Sequence, residues 1–170
     1  MIRHAQEQDL PEILAIYNEA IIHTTAVYEW HPQTLEERWA WYREKQQTGF
    51  PVIVYATDRT IWGFATFGPY RNMSGFKYTV KDSVYVHKQY RRKQVGTHLL
   101  QEIIKIAANQ DFMTMVAEID SGNASSKRMH EKVGFKTAGI IAKAGFKFGA
   151  WLDLAVYQYQ LTAWPAAGGL

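Results

Sequence analysis

Two short polar stretches stand out for what their side chains and backbone could bind or protonate. The first is a basic run, His87, Lys88, Arg91, Arg92 and Lys93, which leads through Gln94 into the apolar spacing Val95, Leu99, Ile103 and Ile106. A loop that feeds a helix in this way ends on unpaired backbone N–H groups and the positive end of the helix dipole, a natural seat for a pyrophosphate. The second is Asn123, Ser126 and His130, spaced i, i+3 and i+7 ahead of Gly134, so that all three share one helix face. Each stretch also has a plainer reading. The first would be a solvated basic turn, and the second an Asn that caps its helix with a histidine on the surface.

These groups need a strand before each helix. Tyr78–Val86 and Met113–Ile119 read as those strands, and the basic loop follows directly on Val84, Tyr85 and Val86. Upstream, Ile2–His4 reads as a strand. Asp9 with Glu12, and Thr34 with Glu37, read as capping boxes that open two helices, the second ended by Gly49 and Pro51. Val52–Thr57 and Ile61–Phe67 read as a hairpin around Asp58-Arg59-Thr60, Gly68–Gly75 as a loop, and 138–161 as a further strand-rich segment. The order β-α-α-β-β-β-α-β-α-β-β predicts an α/β fold of the α+β mixed-sheet kind, with helices on both faces of the sheet. Residues 1–161 are expected to form a single domain and 162–170 a flexible tail.

Composition narrows the function. A chain of 170 residues suits one domain with a proper core. No apolar run reaches the length of a membrane span, and the charged start MIRHAQEQDL lacks the pattern of a signal peptide. The sequence has no Cys, which excludes a disulfide framework, a thiolate metal site and a Cys nucleophile, and is compatible with a reducing cytoplasm. A net charge of +3 is too mild for a nucleic-acid surface, so no nucleic acid, membrane or metal is expected as a partner.

The basic loop resembles the phosphate loop of the GNAT superfamily of N-acetyltransferases, whose pattern is Q/R-x-x-G-x-G/A. Arg91 and Gly96 match it, and Gln94 stands where the middle glycine would be. The resemblance implies a GNAT-like acyl-CoA N-acyltransferase fold with a mostly antiparallel central sheet, and acetyl-CoA as acetyl donor. The amides from Gln94 through Val95 and Gly96 to Thr97 would face the pyrophosphate, with Arg91, Arg92 and Lys93 adding charge. The run Asn123 to Phe135 resembles the superfamily pattern N-x-x-A/S-x-x-x-Y-E-K-x-G-F, in which the Asn holds the pantetheine arm and the Tyr protonates the leaving thiolate. His130 occupies the Tyr position, which implies a catalytic acid there, with Asn123 and Ser126 along the pantetheine.

Over nearly the whole chain the sequence is similar to the phosphinothricin and methionine sulfoximine/sulfone N-acetyltransferase family. IYNEAI (16–21), TAVYEW (25–30), GFATFGPYR (63–71), TVKDSVYVH (79–87) and GFKFGAWLDL (145–154) carry the likeness. It implies a cytoplasmic homodimer that acetylates the α-amino group of a small amino-acid analogue. Such an acceptor needs a cation for its carboxylate, and Arg71 is the expected contact. Glu29, Trp30, Phe67 and Tyr70, with Tyr28, are expected around the acceptor, while Lys147, Phe148, Trp151 and Asp153 are expected at the site or at a dimer seam. The family usually has Glu-His where this chain has Lys81-Asp82, and that Glu is the expected base. Lys81 is ordinarily charged, so Asp82, turned inward by a bulge with Lys81 beside it, or Glu29, is expected to take the acceptor's proton. Two alternatives remain open. One is an acyl-CoA-binding or sensing module without catalysis, and the other a transferase for a polyamine, an aminoglycoside or a protein N-terminus.

Overall fold

The computed structural model describes residues 1–57 and 60–161. The Asp58-Arg59 turn and the tail from Thr162 therefore lie outside the described residues. In chain order the elements are β1 (Ile2–His4), α1 (Leu10–His23), α2 (Leu35–Thr48), β2 (Val52–Thr57), β3 (Thr60–Pro69), β4 (Thr79–Val86), α3 (Val95–Asn109), β5 (Thr114–Asp120), α4 (Ala124–Val133), β6 (Lys136–Lys147) and β7 (Ala150–Gln160). The seven strands form one sheet in the order β1-β2-β3-β4-β5-β7-β6. All neighbours are antiparallel except β4 and β5.

Local chemistry sets the helix ends. Thr34 and Glu37 form the capping box at α2, each side chain accepting from the other's backbone N–H (3.2 and 2.7 Å), and Gly49 closes the helix in the left-handed conformation. The Asp9–Glu12 box does not form. Asp9 instead accepts from the Gln6 N–H (2.7 Å) and pairs with Arg3 (2.6 Å), while Glu12 accepts from the Ile61 N–H (2.9 Å). Both carboxylates found stronger or more distant donors than the first turn of α1.

Alternation along the strands assigns the two layers. Ala65, Phe67, Val80, Met115 and Ala117 face α3 and α4, where Leu99, Leu100 and Ile103 are fully buried. Val52, Val54 and Phe64 face α1 and α2 with Leu10, Ile13 and Tyr42. A single core leucine such as Leu99 is worth about 2–5 kcal/mol against alanine at positions like this. Helices α3 and α4 touch through Gly96, where an added Cβ would lie 2.8 Å from Met129 Sδ. That close approach packs the first turn of α3 against the second half of α4.

Candidate active site

The sheet opens where its single parallel pair gives out. β4 and β5 are in register as Thr79↔Thr114, Val80↔Met115 and Lys81↔Val116, and beyond that rung they part. Asp82 to Val86 remain bonded to β3 on one side only. The chain leaves β4 into α3 and β5 into α4, so both helices begin near the open end of the split. A crevice at the carboxyl ends of adjacent parallel strands, beside helix N-termini, is where α/β folds take anionic ligands. Val84, Tyr85 and Val86 form one edge of it.

The loop before α3 keeps the backbone shape that glycines would give it. Arg92 and Gln94 have φ of 64° and 61°, the left-handed region that favours glycine, and Gln94 stands where the resembling pattern has its middle glycine. The first α3 bond runs from His98 N–H to Gln94 O (3.0 Å), so Val95, Gly96 and Thr97 have no intrahelical acceptor for their N–H groups. Gly96 thus serves twice, as a bare amide and as the helix contact. The three cations differ. Arg91 is paired with Glu19 (2.6 Å) and also donates to Val86 O, and Lys93 lies over the rings of Trp62 and Tyr90 (5.7 and 5.3 Å). Arg92 is exposed and has no ion-pair partner among the described residues.

On the α3/α4 face, Asn123 Oδ1 accepts from the Ser126 N–H (3.1 Å) and so caps α4, leaving its amide N–H groups for a ligand. His130 is 4% exposed. Its Nδ1 donates to Ser126 O (2.8 Å), and a carbonyl can only accept, so Nδ1 carries a proton. Its Nε2 donates to Asp82 Oδ2 (2.9 Å). Burial alone would depress the imidazole, but the Asp82 hydrogen bond and charge, helped by the Ser126 carbonyl, outweigh it and raise the pKa above the ordinary value. Both ring nitrogens are therefore engaged, and His130 has no N–H left to give a departing thiolate. The expected catalytic acid is here half of a dry ion pair that ties α4 to β4.

Asp82 also departs from expectation. The β3–β4 register runs without a shift from Gly63↔Val86 to Pro69↔Val80, so no bulge turns Asp82 toward the acceptor face. Nor does Lys81 lie beside it. Adjacent strand residues point to opposite faces, and Lys81 emerges on the α1/α2 face, where it pairs with Glu118 of β5 (3.0 Å). The pair spans the gap just past the last rung. Next to it, a cleft of about 320 Å³ between α2 and strands β3 and β4 is bordered by Trp41, Glu44, Lys45, Lys81 and Ser83. Lys45 donates to Phe67 O (2.7 Å), and burial lowers its pKa to about 8.

Of the expected acceptor residues, Phe67 lies at the border of that cleft and accepts from Lys45 through its carbonyl, while its side chain is wholly buried against Phe50 and Phe112. Arg71 lies over the Tyr70 ring (4.2 Å) in the exposed loop after β3 and has no carboxylate partner among the described residues. Glu29 is exposed on the connection between α1 and α2, and Trp30 donates to Phe146 O (2.9 Å). Tyr28 donates to Asp120 Oδ1 (2.9 Å) and fills the space a side chain at Gly145 would need. Lys147 is buried, its ammonium donating to Ile21 O, Thr24 O and Val27 O (2.6–2.8 Å), so it tethers the α1–α2 connection rather than opening to a seam.

Sequence reading missed Glu118 and Lys45. The signal for Glu118 was present: in TMVAEID the alternation sends Met115, Ala117 and Ile119 to the core and Val116, Glu118 and Asp120 to the other face. Nothing local marked Lys45, whose role depends on a strand folded later in the chain. Among the described residues no three His, Cys, Asp or Glu side chains gather as a metal site, and no helix is long and apolar enough to cross a membrane.

Comparison with known proteins agrees with this geometry. The sequence profile of the acetyltransferase (GNAT) family matches residues 10–135. The chain is 43% identical over 162 residues to an L-methionine sulfoximine/L-methionine sulfone acetyltransferase of Pseudomonas aeruginosa, covering 94% of each protein. Its fold superposes on the crystal structure of an N-acetyltransferase from Staphylococcus aureus with a TM-score of 0.94, at 45% identity over 95% of this chain and 98% of that one. A phosphinothricin acetyltransferase from Sinorhizobium meliloti, in complex with acetyl-CoA, gives 0.93 at 31% identity over 99% and 94%. The chain belongs to the acetyltransferase (GNAT) family.

Proposed function

We propose that this protein transfers the acetyl group of acetyl-CoA to the α-amino group of a small amino-acid-like acceptor, of the methionine sulfone, methionine sulfoximine or phosphinothricin kind. The observation that carries the reading is the split of β4 from β5 beside two helix N-termini, with the left-handed residues Arg92 and Gln94 shaping the loop. The residues fit the donor: unpaired amides of Val95 to Thr97 and the Arg92 charge would hold its pyrophosphate, and the Asn123 amide its pantetheine arm. When bound, acetyl-CoA supplies an acetyl group activated as a thioester.

The acceptor side is cationic. Lys45 and Lys81 at the cleft are offset by Glu44 and Glu118, and Arg71 on the adjoining loop, with no ion-pair partner among the described residues, leaves a net cation that favours an anionic acceptor over a polyamine. Arg71 would take the carboxylate. The Asp82–His130 pair positions α4 rather than meeting the acceptor, and so holds Asn123 and Ser126 in place. A homodimer fits the exposed apolar side chains Ile140, Ile141, Phe146, Phe148 and Trp151 along β6 and the start of β7. Its seam would run there, and we place the reaction in the cytoplasm, as for a cysteine-free acetyl-CoA enzyme. Calorimetry tests the donor site: acetyl-CoA should bind at low salt and more weakly as salt is added. Folded protein that binds none at low salt contradicts the reading.

A further inference from the structure

We infer that Glu118, held by Lys81 across the mouth of the strand split, is the general base that takes the acceptor's proton. The inference rests on the acetyl-transfer reading above and deepens it. An ammonium has no lone pair, so a proton acceptor must stand on the face from which the amine arrives. Asp82 is excluded, being on the other face and committed to His130. Asp120 shares the face of Glu118, but it is 7% exposed and both oxygens are taken, Oδ1 by Tyr28 and Oδ2 by Thr25 (2.9 and 2.8 Å). Glu29 is exposed on the connection between α1 and α2, and Glu44, exposed at the border of the cleft, stands on α2 rather than on a strand that flanks the split. Glu118 is two residues past that rung, only partly covered, and bonded to Lys81 through Oε2 alone among the described residues, which leaves Oε1 to accept.

The groups around it suit the role. Lys81 bonds it from β4; on the same face stand Tyr85 of β4 and Asp120 of β5, which Tyr28 reaches from the α1–α2 connection. The facing residues of β7 are Leu154, Val156 and Gln158, none of which ionises, while α2 contributes Lys45 and Glu44 at the cleft. Lys81 thereby gains a role of its own, fixing the Glu118 carboxylate over the gap. The charge pair is the reverse of the arrangement the resembling family implies, where the carboxylate sits on β4.

The protons and bonds balance. The acceptor's ammonium loses an N–H bond as Glu118 gains an O–H bond, and Glu118 then passes that proton to solvent. The freed amine forms its N–C bond to the acetyl carbon as the thioester C–S bond breaks. The nitrogen's second proton ends on the departing sulfur, directly or through water.

The test compares the parent with Glu118→Gln, Glu118→Lys and the charge-swapped Lys81→Glu/Glu118→Lys, each shown to be folded by its melting curve and by acetyl-CoA calorimetry. Glu118→Gln should lower kcat/KM on methionine sulfone by about 10²–10⁴-fold near neutral pH, with partial recovery as pH rises and free amine becomes available. The swapped variant should regain at least about tenfold over Glu118→Lys, since it restores a carboxylate across the same gap. Without acetyl-CoA, the parent should bind methionine sulfone more tightly than its des-amino analogue, and Glu118→Gln should lose that preference. A folded Glu118→Gln with the parent's pH profile and the parent's preference overturns the proposal, as does a swapped variant no better than Glu118→Lys. A parent that releases no thiol with any of the amines overturns the acetyl-transfer reading as well. A parent active on methionine sulfone, with an unaffected Glu118→Gln, overturns this proposal alone.

Discussion

Lys81 and Asp82 are neighbours on one strand, and each carries an ion pair to another element, yet the two pairs live in different media. The side chains of Asp82 and His130 are each 5% exposed, with every ring nitrogen bonded, whereas those of Lys81 and Glu118 are 40% and 20% exposed and span an open gap. A buried pair is hard to break and has nothing left over to offer a substrate. A half-open pair adds little to stability and keeps an unused oxygen. The strand pleat alone makes the difference: one residue of offset moves a charge from the frame of the molecule to its working surface.

Breaking the dry pair should have the largest effect. His130→Ala strands a buried carboxylate, at a cost of about 3–5 kcal/mol, or roughly 10 °C in melting temperature for a chain of this size. Asp82→Leu/His130→Leu should recover most of that loss, because an apolar pair of similar bulk needs no partner. A double variant as unstable as His130→Ala contradicts the assignment. The pair also sets a pH dependence. Because His130's folded pKa is raised, its stabilisation is complete below the unfolded value of about 6.5 and is lost as pH climbs through the folded one. The parent's melting temperature should therefore fall on the alkaline side of that window, and the Leu/Leu variant should lack this component.

The next largest effect concerns the working side. Arg71→Ala should raise KM for methionine sulfone by about tenfold or more, in line with a lost charge-assisted hydrogen bond, and raise it much less for the carboxamide analogue. Equal changes for both acceptors would mean that Arg71 supports its loop instead.

A smaller effect belongs to the frame on the donor side. Arg92→Gly and Gln94→Gly each relieve a left-handed residue worth about 1–2 kcal/mol, offset in part by glycine's greater freedom when unfolded. Each should stabilise by about 0.5–1 kcal/mol in urea melts, and destabilisation by either would contradict the strain. Smallest of all, Lys81→Met should shift the urea midpoint by less than about 1 kcal/mol of stability, as for other half-exposed pairs. A loss as large as that of His130→Ala would erase the contrast between the two pairs.

Much of the frame was legible because it rests on local rules. The Thr34–Glu37 cap, the Gly49 stop and the alternating strand 114–120 each declare themselves within a few residues. The site was legible as a set of segments but not as contacts. Asp82 and His130 are 48 positions apart, and no spacing rule predicts which face of a strand a distant helix will cover. The left-handed Arg92 and Gln94 ran against residue preference, since only glycine advertises positive φ. Phe67 looked like a slot residue by type, and the fold shows that it borders the cleft through its backbone while its ring lies in the core. Asp9 and Glu12 had the spacing of a cap but met competing donors from Arg3, Gln6 and Ile61.

The central claim is acetyl transfer from acetyl-CoA to an anionic amino acid analogue. It is tested most directly by following thiol release from acetyl-CoA with methionine sulfone, phosphinothricin, a polyamine and an aminoglycoside as separate acceptors, with mass analysis of the products. The account predicts thiol release matched by N-acetylated product for the two amino-acid analogues, and far less for the polycations. Turnover confined to the polycations, or acetyl-CoA binding with no product from any amine, would contradict it.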